Sequence, residues 1–243
     1  MSLESRLADF ITAIGADIKA LLAGPTEIAR REWSLLDDFQ GEQQSVWVQA
    51  VSGTAAAVGS VGTTDSTSCG VIQLTTGSTA TGRACLRTLQ NSAFRLGLGK
   101  ATYTARFRLP ILSDATNRFA VRLGFGDTDG GDMVDGVYFE YDDSASANWR
   151  CKTASASTRT TSTTAVAVAI DTWYRLEIEV NADGTEAKFY INGTLVATHT
   201  ANIPTGSGRD TGVGFWTVKS VGTTARVVQA DWMGAKIVFT TPR

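Results

Sequence analysis

With 243 residues and a formal net charge of −2, the chain is long enough to bury a sizeable core as one domain and carries no electrostatic footprint for nucleic acid. It has no Lys/Arg cluster and no apolar run near the roughly 18 residues of a membrane span. Neither nucleic acid nor membrane insertion is therefore expected.

The first residues carry Glu4, Asp9 and Asp17 in place of a basic n-region and an unbroken apolar stretch, so no secretory leader is expected. Residues 1–24 are predicted to form a helix unlike the rest of the chain. Ser2 suits the N-cap, Gly15 is the only breaker before Ala23, and Gly24-Pro25 stops the run. Leu7, Ile11, Ile14, Ile18 and Leu21 are spaced four, three, four, three, which is a heptad seam. Isoleucine at both kinds of core position favours trimers or tetramers over dimers. Leu3, Phe10 and Leu22 widen the apolar face, which fits a trimer core and equally a helix lying on its own sheet. The expected organisation is an oligomerising or anchoring helix (1–24), a linker (25–33) and a β-sandwich (34–243), with a homotrimer as the assembly.

Strand signals then follow one another. Ser34–Gly41 and Ser45–Ala50 are each predicted as a strand, while Ser52–Cys69 is a run of small residues expected to be a surface loop. Gly70–Leu86 is predicted as strand, turn and strand. Lys100–Leu109 and Arg118–Phe125 alternate apolar and polar side chains, and Gly136–Tyr141 and Asn148–Thr153 follow. The Thr/Ser-rich Ala154–Thr164 suits a polar hairpin at a sheet edge. Thr172–Pro204 is predicted as a three-stranded meander, with Asp183-Gly184 and Asn192-Gly193 as its turns. Thr211–Val218 and one last strand complete roughly a dozen strands, enough for two packed sheets.

Two stretches carry a family resemblance. Trp173-Tyr174-Arg175-Leu176, Asp183-Gly184 and Phe189-Tyr190-Ile191-Asn192-Gly193 resemble the concanavalin A-like (laminin-G-like) β-sandwich family. The string from Gly70 to Ala84, with Val71, Leu74, Thr76, Gly77, Ala80, Thr81, Gly82 and Arg83, is similar to sandwich domains of bacteriophage tail-fibre and capsid-associated proteins. The amino-terminal segment also looks like the short helices of phage fibre and head-decoration proteins. The resemblance implies a mainly β jelly roll with a short N-terminal α-helix. It also implies that the first strand pairs with the tail segment Ala225–Phe239, where Trp232 and Phe39 supply core bulk. It further implies a non-catalytic virion surface protein, made in the bacterial host cytoplasm, acting as a trimeric fibre or receptor-binding-type protein. Its partners would be a capsid or tail protein and a host-surface glycan. A capsid decoration protein is the alternative, and a carbohydrate-binding module or polysaccharide-cleaving enzyme would use the same fold.

The residues offer little chemistry. Asp127, Asp129, Asp132 and Asp135 are dense enough to suggest calcium, yet their glycines and the absent final Glu do not follow an EF-hand loop. The expectation is a solvated turn and no metal. Glycosidases on this fold can carry an E-x-D-x-x-E strand, but Glu140-Tyr141-Asp142 lacks the final Glu, with Ala145 in its place. Glu177 and Glu179 are expected to face water. His199, the only histidine, has no visible partner, so Ser-His and Cys-His mechanisms have no support. Cys69, Cys85 and Cys151 fit neither a disulfide framework nor a zinc pattern and are expected as buried free thiols, a Cys69–Cys85 bridge being the alternative. No catalytic residue and no cofactor is expected. Among the aromatics, Trp149, Trp216 and Tyr138 are the candidates for stacking on sugar rings.

Overall fold

The computed structural model describes residues 31–40, 46–61, 68, 70–88 and 94–241. Among them run fifteen strands: β1 (Glu32–Asp37), β2 (Val48–Ser52), β3 (Ala57–Val61), β4 (Val71–Thr75), β5 (Arg83–Arg87), β6 (Gly99–Arg108), β7 (Arg118–Gly126), β8 (Gly136–Asp142), β9 (Ser146–Ser155), β10 (Thr158–Ala167), β11 (Tyr174–Val180), β12 (Ala187–Ile191), β13 (Thr194–His199), β14 (Gly212–Val221) and β15 (Val227–Phe239). The first sheet has the order β13-β12-β11-β6-β15-β4-β3, with β1 also paired to β15. The second has the order β10-β9-β8-β7-β14-β5-β2. Neighbouring strands are antiparallel throughout. The chain crosses between sheets at β1–β2, β2–β3, β4–β5, β5–β6, β6–β7, β10–β11, β13–β14 and β14–β15. Two antiparallel sheets linked in this way are a jelly-roll sandwich.

The expected mixture of sandwich and amino-terminal helix is corrected: every named element among the described residues is a strand. The predicted helix 1–24, with its seam Leu7, Ile11, Ile14, Ile18 and Leu21 and the trimer built on it, lies outside the described residues. The first strand starts at Glu32, inside the expected linker, and pairs with β15 from Glu32↔Val238 to Asp37↔Met233. First and last strands are therefore neighbours, as the resemblance implies.

The core forms where period-two alternation turns one side of each strand inward. From β6 it takes Ala101, Tyr103, Ala105 and Phe107, and from β11 Leu176, Ile178 and Val180. Rings meet edge to face across it, Phe107 with Phe215 at 5.8 Å and Phe139 with Phe189 at 5.4 Å. The predicted meander is β11–β13. Its second turn has two residues with positive φ, Asn192 (52°) and Gly193 (82°), as a tight twisted hairpin requires. The Thr/Ser-rich β9–β10 hairpin turns at Ala156-Ser157 and leaves β10 at a sheet edge.

Two expectations fail for physical reasons. Ala57–Val61 is an edge strand, not a loop, because β4 supplies its ladder and an edge position needs little side-chain burial. Trp232 is not core. The β15 register against β6 shifts between Ala230 and Trp232, so Asp231 is an extra residue in a β-bulge. Ala230, Met233, Ala235 and Ile237 face inward, and the bulge turns Trp232 to the outer surface of the first sheet.

The Gly70–Ala84 string acts as a clasp. Its link between β4 and β5 exchanges Thr76 N–H to the Arg226 carbonyl and Arg226 N–H to Thr76 Oγ1, both at 3.0 Å. Thr79 Oγ1 accepts the Thr54 amide at 2.8 Å. Lys219, buried and lowered in pKa by desolvation and by Arg226, donates from Nζ to the Gly77 carbonyl at 2.6 Å.

Candidate functional site

The polar residues gather on the outer face of the second sheet. Alternation that sends Leu123, Phe139 and Cys151 inward aims Arg122, Glu140 and Arg150 outward, and pairing aligns them in one row across β7, β8 and β9. Glu140 is only 1% exposed, yet it is flanked by cations on both neighbouring strands. Its oxygens accept from Arg122 Nε (3.0 Å), Arg150 Nη1 (2.9 Å) and Lys152 Nζ (2.9 Å). Such a buried carboxylate is tolerable only because its desolvation is offset by close cations and filled lone pairs.

The acidic loop after β7 closes over this row. Asp132 binds Lys152 (2.9 Å), Arg159 (3.0 Å) and Arg122 (3.2 Å) and accepts the Tyr138 hydroxyl at 2.6 Å. Burial pushes the Asp132 pKa up, but the Tyr138 and Lys152 hydrogen bonds and the Arg122 charge outweigh it. The carboxyl is held well below the usual range. Asp129 takes Arg87 through two bonds at 2.6 and 2.8 Å and the Trp216 indole N–H at 3.2 Å. Asp135 pairs with Arg209 (3.2 Å) and accepts the Ala156 amide (2.8 Å), while Asp127 accepts the Val134 amide at 3.0 Å. The four carboxylates thus serve four separate sets of donors and share no cage of oxygens. No cluster of three or more His, Cys, Asp or Glu able to hold a metal is found among the described residues.

The three aromatics proposed for sugar contact are all buried. Trp149 packs in the core against Phe139 and Tyr174, at 6.4 and 5.7 Å. Trp216 and Tyr138 face outward from their strands, but Cys85, Met133 and Ala154 pack with them beneath the acidic loop. No indole or phenol face of the three reaches solvent, because the loop covers the part of the sheet that carries two of them. Glu177 and Glu179 lie on the outer face of the other sheet, beside Arg175 and Lys100. Cys85 and Cys151 are free, buried thiols, and burial pushes the Cys85 pKa up to about 12. Cys69 lies outside the described residues.

His199 does have partners, 46 and 37 positions away. Thr153 Oγ1 spends its proton on the Ala201 carbonyl (2.8 Å), so it accepts from His199 Nδ1 at 3.2 Å. Nε2 then accepts the Ser162 hydroxyl at 2.9 Å. With Phe189 against its ring at 5.1 Å, the neutral imidazole seals the edge where β13 meets β9 and β10. Burial lowers its pKa below the ordinary 6.5. The unfolded chain therefore binds a proton first as pH falls, and stability drops once pH passes below about 6.5, until the folded pKa is reached. Urea unfolding is expected to show a loss of at most about 1.4 kcal/mol per pH unit in that window. H199Q is expected to lack that component.

Among curated protein sequences no match is found. The fold is similar to that of a protein of unknown function, SO2946 from Shewanella oneidensis MR-1, with a TM-score of 0.65 and 17% identity over 100% of this chain and 97% of that one. The endo-1,3-beta-glucanase of Streptomyces sioyaensis has a TM-score of 0.57 and 13% identity, covering 85% of this chain and 97% of its own. Peanut lectin has 0.56 and 14%, covering 86% and 99%. These likenesses establish the lectin-like jelly roll, and they give the bacteriophage setting no support. A family model described as SO2946-like, C-terminal domain matches residues 48–231, and the chain belongs to that family.

Proposed function

We propose that this chain is a non-catalytic, lectin-like recognition module. The observation that carries the reading is the state of the one carboxylate row on the outer face of the second sheet. Glycoside hydrolysis needs two carboxyl groups that reach substrate, one of them protonated. Glu140 is sealed from solvent and fully occupied by three cations, and Asp132 is held ionised. Asp142 accepts the amide and hydroxyl of Ser144, and no third acid follows on the strand. A lyase needs a base beside a proton on carbon, but the Tyr138 hydroxyl donates to Asp132 and its pKa is pushed upward by burial.

The likeness of Gly70–Ala84 to phage sandwich domains supports placing such a module on a virion surface, as a fibre or receptor-binding-type head facing a host envelope. Incubating the full chain with bacterial capsule, cell-wall glycans and β-glucans is the test. The expected result is no new reducing end and no unsaturated uronate. Steady release of either from any member of the panel would overturn the reading.

A further inference from the structure

The outer face of the first sheet holds a second concentration of unusual features. The β15 bulge turns Trp232 to the surface at the one point where ordinary alternation would have buried it. Bulges that re-aim a side chain occur beside functional sites more than elsewhere. Asp231, the extra residue, binds Arg106 at 2.6 Å. Arg106 is the register partner of Trp232, and its guanidinium lies 4.7 Å from the Trp173 ring centre. Arg108 lies 4.6 Å from the same ring and is held by Gln229 (2.8 Å) and Asp171 (3.0 Å). The two cations are thus committed to protein partners and stiffen the floor beside Trp232.

Next to Trp232 opens a cavity of about 450 Å³, lined among the described residues by Leu36, Asp37, Asp38 and Trp232. Leu36 is 68% exposed, and it lies over Gly234, where the missing side chain lets it approach the sheet. The Asp37 carboxylate is fixed in place, whereas Asp38 is exposed. Asp37 accepts the Trp47 indole N–H at 2.6 Å and the Phe39 amide at 2.8 Å. Phe39 adopts φ of 54°, a conformation costly for a non-glycine residue and kept only where surroundings impose it. Gly70 supplies that surrounding, for its Cα packs directly on the Asp38 and Phe39 backbone.

An indole face and a leucine beside two carboxylates match a sugar ring, which has apolar C–H faces and a rim of hydroxyl donors. The negative lining disfavours an anionic sugar. We propose that this cavity binds a neutral hexopyranoside, stacked on Trp232 and donating to Asp38. The site deepens the recognition reading and rests on it.

Calorimetric titration of the full chain with a β-1,3-linked glucose hexasaccharide, and separately with a β-1,4-linked glucuronic acid hexasaccharide, tests it. The neutral ligand is expected to bind, and W232A to weaken it by about tenfold or more. D38N is expected to weaken neutral binding and narrow the gap to the uronate. Trp232 lies on the outer face, so both variants should melt close to the parent. Unchanged affinity in W232A would overturn the site and leave the recognition reading standing. Uronate bound as tightly as the neutral ligand, or neither ligand bound, would also overturn the site. Product release in the same mixtures would instead overturn the non-catalytic reading.

Discussion

Replacing Glu140 by glutamine is expected to lower the stability of the fold by about 3–5 kcal/mol. For a chain of this size that is a fall in melting midpoint of roughly 10 °C. The reason is the asymmetry of a buried ion cluster. Three cations face Glu140, with side-chain exposures of 8% for Arg122, 16% for Arg150 and 6% for Lys152. Glutamine leaves Arg150 without a charge partner and turns an amide N–H₂ toward cations that need acceptors. Asp132 still holds Arg122 and Lys152, so collapse of the row is partial. Because the cluster is buried, added salt should hardly reduce the loss. The exposed pair Arg175–Glu177 provides the control, since E177Q should change stability by less than about 1 kcal/mol. Thermal and urea unfolding of both variants measure the effect. An E140Q protein as stable as the parent would show that the row on β7, β8 and β9 does not hold this face together.

What could be read from the sequence follows from how far apart the cooperating residues are. The meander was visible because each strand alternates against a single core, and its turns carry the residues that positive φ requires. The pairing of β1 with β15 came from resemblance, since no local pattern encodes a contact across most of the chain. The charged row was invisible for the same reason. Glu140 is one carboxylate in an ordinary strand, and its partners come from β7 and β9, 10 to 18 positions away. The acidic loop invited a calcium reading because sequence density cannot show that each Asp faces a different donor. His199 looked isolated because Thr153 and Ser162 lie 46 and 37 positions away. The resemblance implies a core position for Trp232, and one extra residue, Asp231, turns it outward instead. A bulge leaves no mark in composition, so the candidate sugar platform could not be seen before the fold was known.

Substituting alanine at Gly77 or Gly82 is expected to destabilise by on the order of 3 kcal/mol or more, although neither residue touches a ligand or the hydrophobic core. At Gly77, φ is 66°, and a Cβ would overlap the Thr54 carbonyl and the Ala55–Ala56 peptide. At Gly82, a Cβ would overlap the Thr76 carbonyl. Backbone lies on the far side of both contacts, so no flexible side chain can move aside. The penalty spreads because the same turn carries the bonds from Lys219 Nζ to the Gly77 carbonyl and from Lys219 N–H to the Gly82 carbonyl at 2.9 Å. Lys219 belongs to β14 in the second sheet, whereas Thr76 exchanges bonds with Arg226 just before β15 of the first. Displacing the turn therefore loosens a tie between the sheets and exposes a buried ammonium to incomplete solvation. The glycine-rich string from Gly70 to Ala84 forms this clasp. Gly59, where a side chain would meet nothing, is the matched control, and G59A should be close to neutral in urea unfolding. Equal stability of G77A, G82A and G59A would mean that the string has no structural role and that its form must be explained by a partner bound there.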